Sequence, residues 1–115
     1  MAQNLRELIA EKSLLLRDVD SLGPAGAAKE LVELSSILSS LNAEIADKHY
    51  WYNMKRVELI GEHKTASKAR VYAEASQEWK DWQDRLVQRD SVVEMIRALK
   101  YYLKGAESEY KESKF

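Results

Sequence analysis

Apolar residues recur at steps of three and four along most of this chain, the spacing that lays one buried stripe along a helix. The pattern is longest after Thr65. Ala69, Tyr72, Ala75, Trp79, Trp82, Leu86, Val93, Ile96 and Leu103 form one seam, with Arg89 and Lys100 in its two charged gaps. A second row, Val92, Met95 and Leu99, widens the stripe. Residues 66–104 hold neither Gly nor Pro, so nothing there breaks a helix strongly. The pattern predicts one continuous helix over about 66–111, roughly 70 Å long at ~1.5 Å per residue. A helix of that length needs an equally long partner.

The same spacing predicts two earlier helices. In the first, over about 4–22, Leu5, Leu8, Leu15, Val19 and Leu22 share a face that Lys12 interrupts. Asn4 is placed to cap it, with Glu7 three residues on. Gly23-Pro24 ends it, with Gly just past the helix and Pro in the first turn of the next. The second helix, over about 24–60, has the seam Leu31, Leu34, Leu38, Leu41, Ile45, Lys48, Tyr52, Lys55 and Leu59, with Gly61 as its stop. A short turn at 61–65 suits antiparallel neighbours.

Laid antiparallel, facing residues have numbers that sum to about 127. Leu31 then meets Ile96, Leu34 meets Val93, Leu41 meets Leu86, Ile45 meets Trp82 and Tyr52 meets Ala75, with a slip of one heptad left open. The midpoint falls on His63 and Lys64, inside the proposed turn. The fold expected is all-α: a single domain over 1–115, a long antiparallel helical hairpin of coiled-coil type, with the shorter N-terminal helix packed on one end. Small Ser35, Ser36, Ser39 and Ser40 mark where that first helix packs. The remaining two-helix arm, about 46–80, has a weak seam and calls for a cover: a second copy of the chain or another partner.

Composition agrees with helices: 32% charged, 45% hydrophobic, one Pro and four Gly in 115 residues. A net charge of −1 gives no global signal for nucleic acid. The absence of cysteine removes disulfides and thiolate metal sites, and fits a reducing cytoplasm. No uncharged run approaches the ~20 residues of a membrane span, and the N-terminal leucines are flanked by charges unlike a signal peptide.

Chemistry is poorly represented. Nucleophile elbow, P-loop and dinucleotide fingerprints are missing. His49 and His63 belong to no Glu-x-x-His pair, so no metal site or cofactor is expected. Glu74, Glu78, Asp81 and Asp84 line part of the long helix, but paired carboxylates do acid–base work only in a cleft. Asp81 is expected to pair with Arg85 four residues on. No catalytic residue is assigned and no enzyme is expected.

One segment departs from the average. Residues 48–70 carry six cations, Lys48, Lys55, Arg56, Lys64, Lys68 and Arg70, against two anions, a local net of +4 beside His49-Tyr50-Trp51-Tyr52. Rings and cations together hold single-stranded nucleic acid. The same residue types dominate protein interfaces. Plain hairpin packing is the third alternative. Because Tyr52 sits in the seam, Tyr50 and Trp51 cannot both point inward, and at least one is expected at the surface. Lys48, Tyr50, Trp51, Lys55, Arg56, Lys64, Lys68 and Arg70 are therefore the candidate partner-binding residues.

The string KARVYAEASQEWKDW (68–82), with EMIRALKYYLK (94–104) and the aromatic section Glu44–Lys55, resembles a diffuse group of small helical proteins encoded by tailed bacteriophages, over about residues 44–105. Members tend to lie among early genes for recombination and replication. The resemblance implies a phage accessory protein in the cytoplasm of the infected cell and supplies no functional residues. On that basis the expected partner is a host or phage protein of replication, recombination or defence, with single-stranded DNA as the alternative.

Overall fold

The computed structural model describes residues 4–113. It is all-α, with no strand among the described residues. In chain order it has α1 (Leu5–Leu15), a 3-10 segment (Leu16–Leu22), α2 (Gly23–Glu62), α3 (Ala66–Glu74) and α4 (Gln77–Ser113). These form two compact units, Met1–Ser39 with Asp90–Phe115, and Ser40–Arg89. α2 and α4 each contribute a segment to both. No described helix is long and apolar enough to cross a membrane.

In the first unit, Asn4 caps α1 as expected. Its extended backbone turns the side chain so that Oδ1 accepts from the Glu7 amide at 2.8 Å. The first helix is not uniform, however. After Leu15 it tightens to three residues per turn, and Asp18 leaves helical geometry at φ −127°, ψ 73°. Short polar residues compete there for backbone groups, and the Ser21 hydroxyl donates to the Asp18 carbonyl at 2.8 Å. A change of pitch breaks a stripe drawn at 3.6 residues per turn. Ile9 is the buried residue of α1, while Leu15 is exposed.

Lys12, the gap in that face, has a structural explanation. Its ammonium donates to Glu30 of α2 at 2.6 Å and also to Glu33. Glu30 is itself buried, as are Ala27, Leu34 and Ile37 on the same helix. The ion pair docks α1 at the Glu30–Glu33 turn, so the serines are not its seat. Ser35, Ser36, Ser39 and Ser40 are all exposed, and Ser35 Oγ donates back to the Leu31 carbonyl. Leu34, Val92 and Leu99 are fully buried in this unit.

Gly23 opens α2 at φ 69°, ψ 169°, a region that essentially only glycine occupies. A Cβ there would touch nothing within 4 Å, so the obstacle to any other residue is the backbone itself. Gly23→Ala is expected to lower stability by about 1–3 kcal/mol, read by chemical denaturation, with the helix content of the native state unchanged.

In the second unit, α2 runs through Gly61 to Glu62, two residues past the expected end. The His63 amide donates to the Leu59 carbonyl, and Thr65 caps α3 by accepting from the Lys68 amide at 3.2 Å. The long C-terminal helix is interrupted at Ala75–Ser76. Ala75 and Ser76 donate to the Tyr72 and Ala73 carbonyls, a tight final turn. Ser76 Oγ donates to Ala73 and accepts from the Trp79 amide at 3.3 Å, which starts α4. A side-chain cap thus restarts the helix without Gly or Pro.

The facing pairs settle the heptad that the sequence left open. Trp82 stacks on Tyr52 (centroids 5.2 Å, planes at 20°) and lies 4.6 Å from the His49 ring. Tyr52 therefore meets Trp82 instead of Ala75, the one-heptad slip from the sum of 127 that the seams allow. On α3 the seam turns to Ala69 and Ala73, which pack with Tyr52, Leu59, Trp79 and Trp82. Tyr72 and Ala75 fall outside it and are exposed.

Candidate functional site

The α2 segment of the second unit fixes the geometry of the aromatic run. Tyr52 is buried by Leu59, Ala73 and the Trp82 ring, which sets the helix rotation. At ~100° per residue, Tyr50 is then carried to the opposite side and Trp51 to the flank. Both are more than half exposed, at 55% and 54%. Their rings meet edge to face, centroids 5.2 Å apart. Such a contact orients both rings while leaving their outer surfaces open.

The exposed rings continue into an apolar stripe. Met54 and Val57 follow Tyr50 at steps of four and three, and both are exposed, as is Ile60 beside them. Trp51, Met54 and Val57 line a shallow hollow of about 500 Å³ with Lys55, Glu58 and Glu78. The signal was present in the sequence: in this stretch α2 has two apolar periodicities, one through Tyr52 and Leu59 and one through Tyr50, Met54 and Val57. A helix with a second apolar side has a surface that its own unit leaves open.

The six cations do not form a single bare patch. Lys48 lies 3.9 Å from Asp47, and Lys55 lies 3.6 Å from Glu58. Arg56 stands over the Tyr52 ring, 6.0 Å from its centroid. Arg70 donates Nε to Glu74 at 3.0 Å, and that hydrogen bond, with the carboxylate's charge, holds the guanidinium still further above its ordinary value. Lys64 and Lys68, at the turn and the start of α3, are exposed. Arg56 and Arg70 do come together: both line a hollow of about 240 Å³ with Ile60, Ala66, Ser67 and Ala69.

The remaining polar candidates settle into structural contacts. His63 is half-buried and stacks on Tyr72, centroids 4.5 Å apart and planes at 3°. This contact takes Tyr72 off the expected seam. Asp81 accepts from Gln77, while Arg85 turns to Glu44 (3.4 Å) and Asp84 (2.9 Å), so the expected Asp81–Arg85 pair is not formed. Asp84 also accepts from buried Gln88. Among the described residues, no three His, Asp or Glu side chains converge as metal ligands would. Comparison of the chain with protein-family models, curated proteins and solved structures finds no match.

Proposed function

We propose that this protein is a non-catalytic helical binding protein that docks another protein on the outer side of α2, with Tyr50, Trp51, Met54 and Val57 as the contact stripe. The observation that carries this reading is the second apolar side of α2: four large side chains in helical spacing, all exposed, beside the core-facing seam. Interfaces draw their binding energy from such clustered aromatic and Met side chains, ringed by polar groups. Lys55, Glu58 and Arg56 supply charges around this stripe. Following the bacteriophage resemblance, the partner is a host or phage protein of DNA replication, recombination or defence in the infected cell's cytoplasm. The protein acts by occluding or bridging that partner. Self-association through the same stripe belongs to the proposal, and sedimentation velocity across a hundredfold concentration range tests it: a single monomer peak throughout would remove it.

A second reading, single-stranded DNA binding, is favoured by one arrangement. Arg56 and Arg70 share a hollow with Ser67, close in sequence to Lys64 and Lys68. Bound DNA would release counterions, so affinity would fall steeply with salt. The two readings separate in one pair of experiments. If a protein is the partner, affinity capture survives nuclease treatment and fluorescence anisotropy with labelled oligonucleotides stays flat at low salt. If DNA is the partner, capture is lost to nuclease, and the anisotropy rise disappears when Arg56, Lys64, Lys68 and Arg70 become Glu.

A further inference from the structure

The first unit carries a second surface of different chemistry. A groove of about 840 Å³ runs between the 3-10 segment with the start of α2 and the last turns of α4. Val19 and Pro24 line one side. Ala98, Gly105 and Ala106 keep the other side shallow, and Tyr101, Tyr102 and Tyr110 bring three rings to it. Tyr101 is 83% exposed. The ionisable side chains besides the tyrosines are Asp20 and Glu109, both carboxylates, and no Lys or Arg lines the groove.

That charge bias is built into the helix. Around α4, at ~100° per residue, Ala98, Tyr102, Gly105 and Glu109 fall within an arc of about 60°. Arg97, Lys100, Lys104 and Lys111 fall within another arc, about 140° away. Two of those cations are engaged locally, Arg97 with Glu94 and Lys111 with Glu107. The side of α4 that carries Tyr102 and Glu109 thus faces away from these four cations, whereas Glu107 lies beside them.

A smaller hollow of about 300 Å³ adjoins the groove and shares Pro24, Ala106 and Tyr110 with it. It adds Glu107 and Leu103. The result is two consecutive recesses that share Pro24, Ala106 and Tyr110; Asp20 and Glu109 line the larger, while Glu107 of the smaller is held by Lys111.

We propose that this tyrosine- and carboxylate-lined groove binds an extended, arginine-bearing segment of another protein. A guanidinium stacks flat on a tyrosine ring, attracted by its negative face, and pairs with a carboxylate in two parallel hydrogen bonds. Tyr102 and Glu109 offer that combination in the groove, and Asp20 with Tyr101 supplies a second carboxylate and ring along it. Nucleic acid is excluded by the same charges, since phosphates would face carboxylates. An extended chain fits two recesses in a row, where a single compact ligand would fill one. The groove does not depend on the α2 stripe, so either surface can fail its test without the other.

The test is a random heptapeptide display selection against the immobilised full chain, followed by titration of the resynthesised winners. Enriched sequences should carry two or more arginines. Their affinity should fall at least tenfold in Asp20→Lys/Glu109→Lys, whose two sites are exposed, and in Tyr102→Ala. Amide shifts in NMR should map to Gly105 and Ala106, with the Trp51 indole unmoved. Absence of enrichment, acidic or uncharged winners, affinity unchanged by the charge reversal, or shifts centred on Trp51 would each overturn the proposal. So would a concentration-dependent dimer abolished by the charge reversal, which would make a second copy the occupant.

Discussion

Replacing Lys12 with methionine is expected to lower the unfolding free energy by about 3 kcal/mol, although the residue reads as a flaw in the stripe of α1. The lysine side chain is 13% exposed and that of its partner Glu30 10%. Removing the cation leaves the buried Glu30 carboxylate with its charge uncompensated. The double variant Lys12→Met/Glu30→Leu should recover most of the loss, because apolar packing can replace an interior ion pair nearly without penalty. Chemical denaturation of the two variants beside the parent checks both numbers. If Lys12→Met alone changes stability by less than about 0.5 kcal/mol, the pair does not hold α1 in place.

The same contact gives a pH dependence with a definite sign. Burial pulls the Lys12 pKa down, but the hydrogen bonds and charges of Glu30 and Glu33 outweigh it, and the net displacement from 10.5 is upward. The Lys12 contribution is therefore complete below its ordinary value and is lost as pH rises through the raised one. Glu33 is displaced below 4.5, first by the Lys12 hydrogen bond and then by its charge. Its contribution is present above 4.5 and is lost as pH falls through the lowered value. The stability difference between parent and Lys12→Met should be flat between these limits and shrink on acidification.

The second large effect concerns binding. Trp51→Ala should weaken capture of the protein partner by about 2 kcal/mol, close to thirtyfold, while leaving thermal stability almost unchanged. Half of Trp51 is in water, so its truncation removes little of the core. Trp82→Ala should do the reverse. It takes the stacked partner from Tyr52 and one ring from beside His49, so it should destabilise the second unit before it touches the α2 stripe. Equilibrium titration of a purified partner against both variants, with melting curves run in parallel, distinguishes the two roles. Equal losses of stability and affinity in both variants would mean that Trp51 acts only through folding.

The helical class, the hairpin and the turn near His63 were all legible from spacing, because a 3.6-residue period and a short polar link leave few alternatives. Asn4 and Gly23 were legible for local reasons, a cap and a positive φ. Two features escaped, and the register was left open by one heptad. Ser76 restarts α4 through its hydroxyl, a signal hidden inside an otherwise unbroken helical pattern. The pairing of Trp82 with Tyr52 is the one-heptad slip that seam spacing leaves open, since two seams stepping in threes and fours match equally well seven residues apart. The 3-10 segment after Leu15 was invisible because its leucines keep an apolar count while losing the helical phase. At the candidate site, the position of Tyr52 alone required at least one of Tyr50 and Trp51 to lie outside, and both do. Met54 and Val57 could not be weighed by charge or aromaticity, and their importance lies in sharing the side of α2 that Tyr50 occupies. Pairings such as Lys55 with Glu58 and Arg70 with Glu74 depend on rotamers, which spacing does not determine.

Hydroxyl-radical footprinting tests most directly whether the outer side of α2 is a docking surface. Tyr50, Trp51 and Met54 should be oxidised readily in the dilute chain and protected together once the captured partner is bound, while Leu14, exposed on α1, stays equally reactive. Protection already present in the dilute chain, or oxidation of the three residues undiminished in the complex, would contradict it.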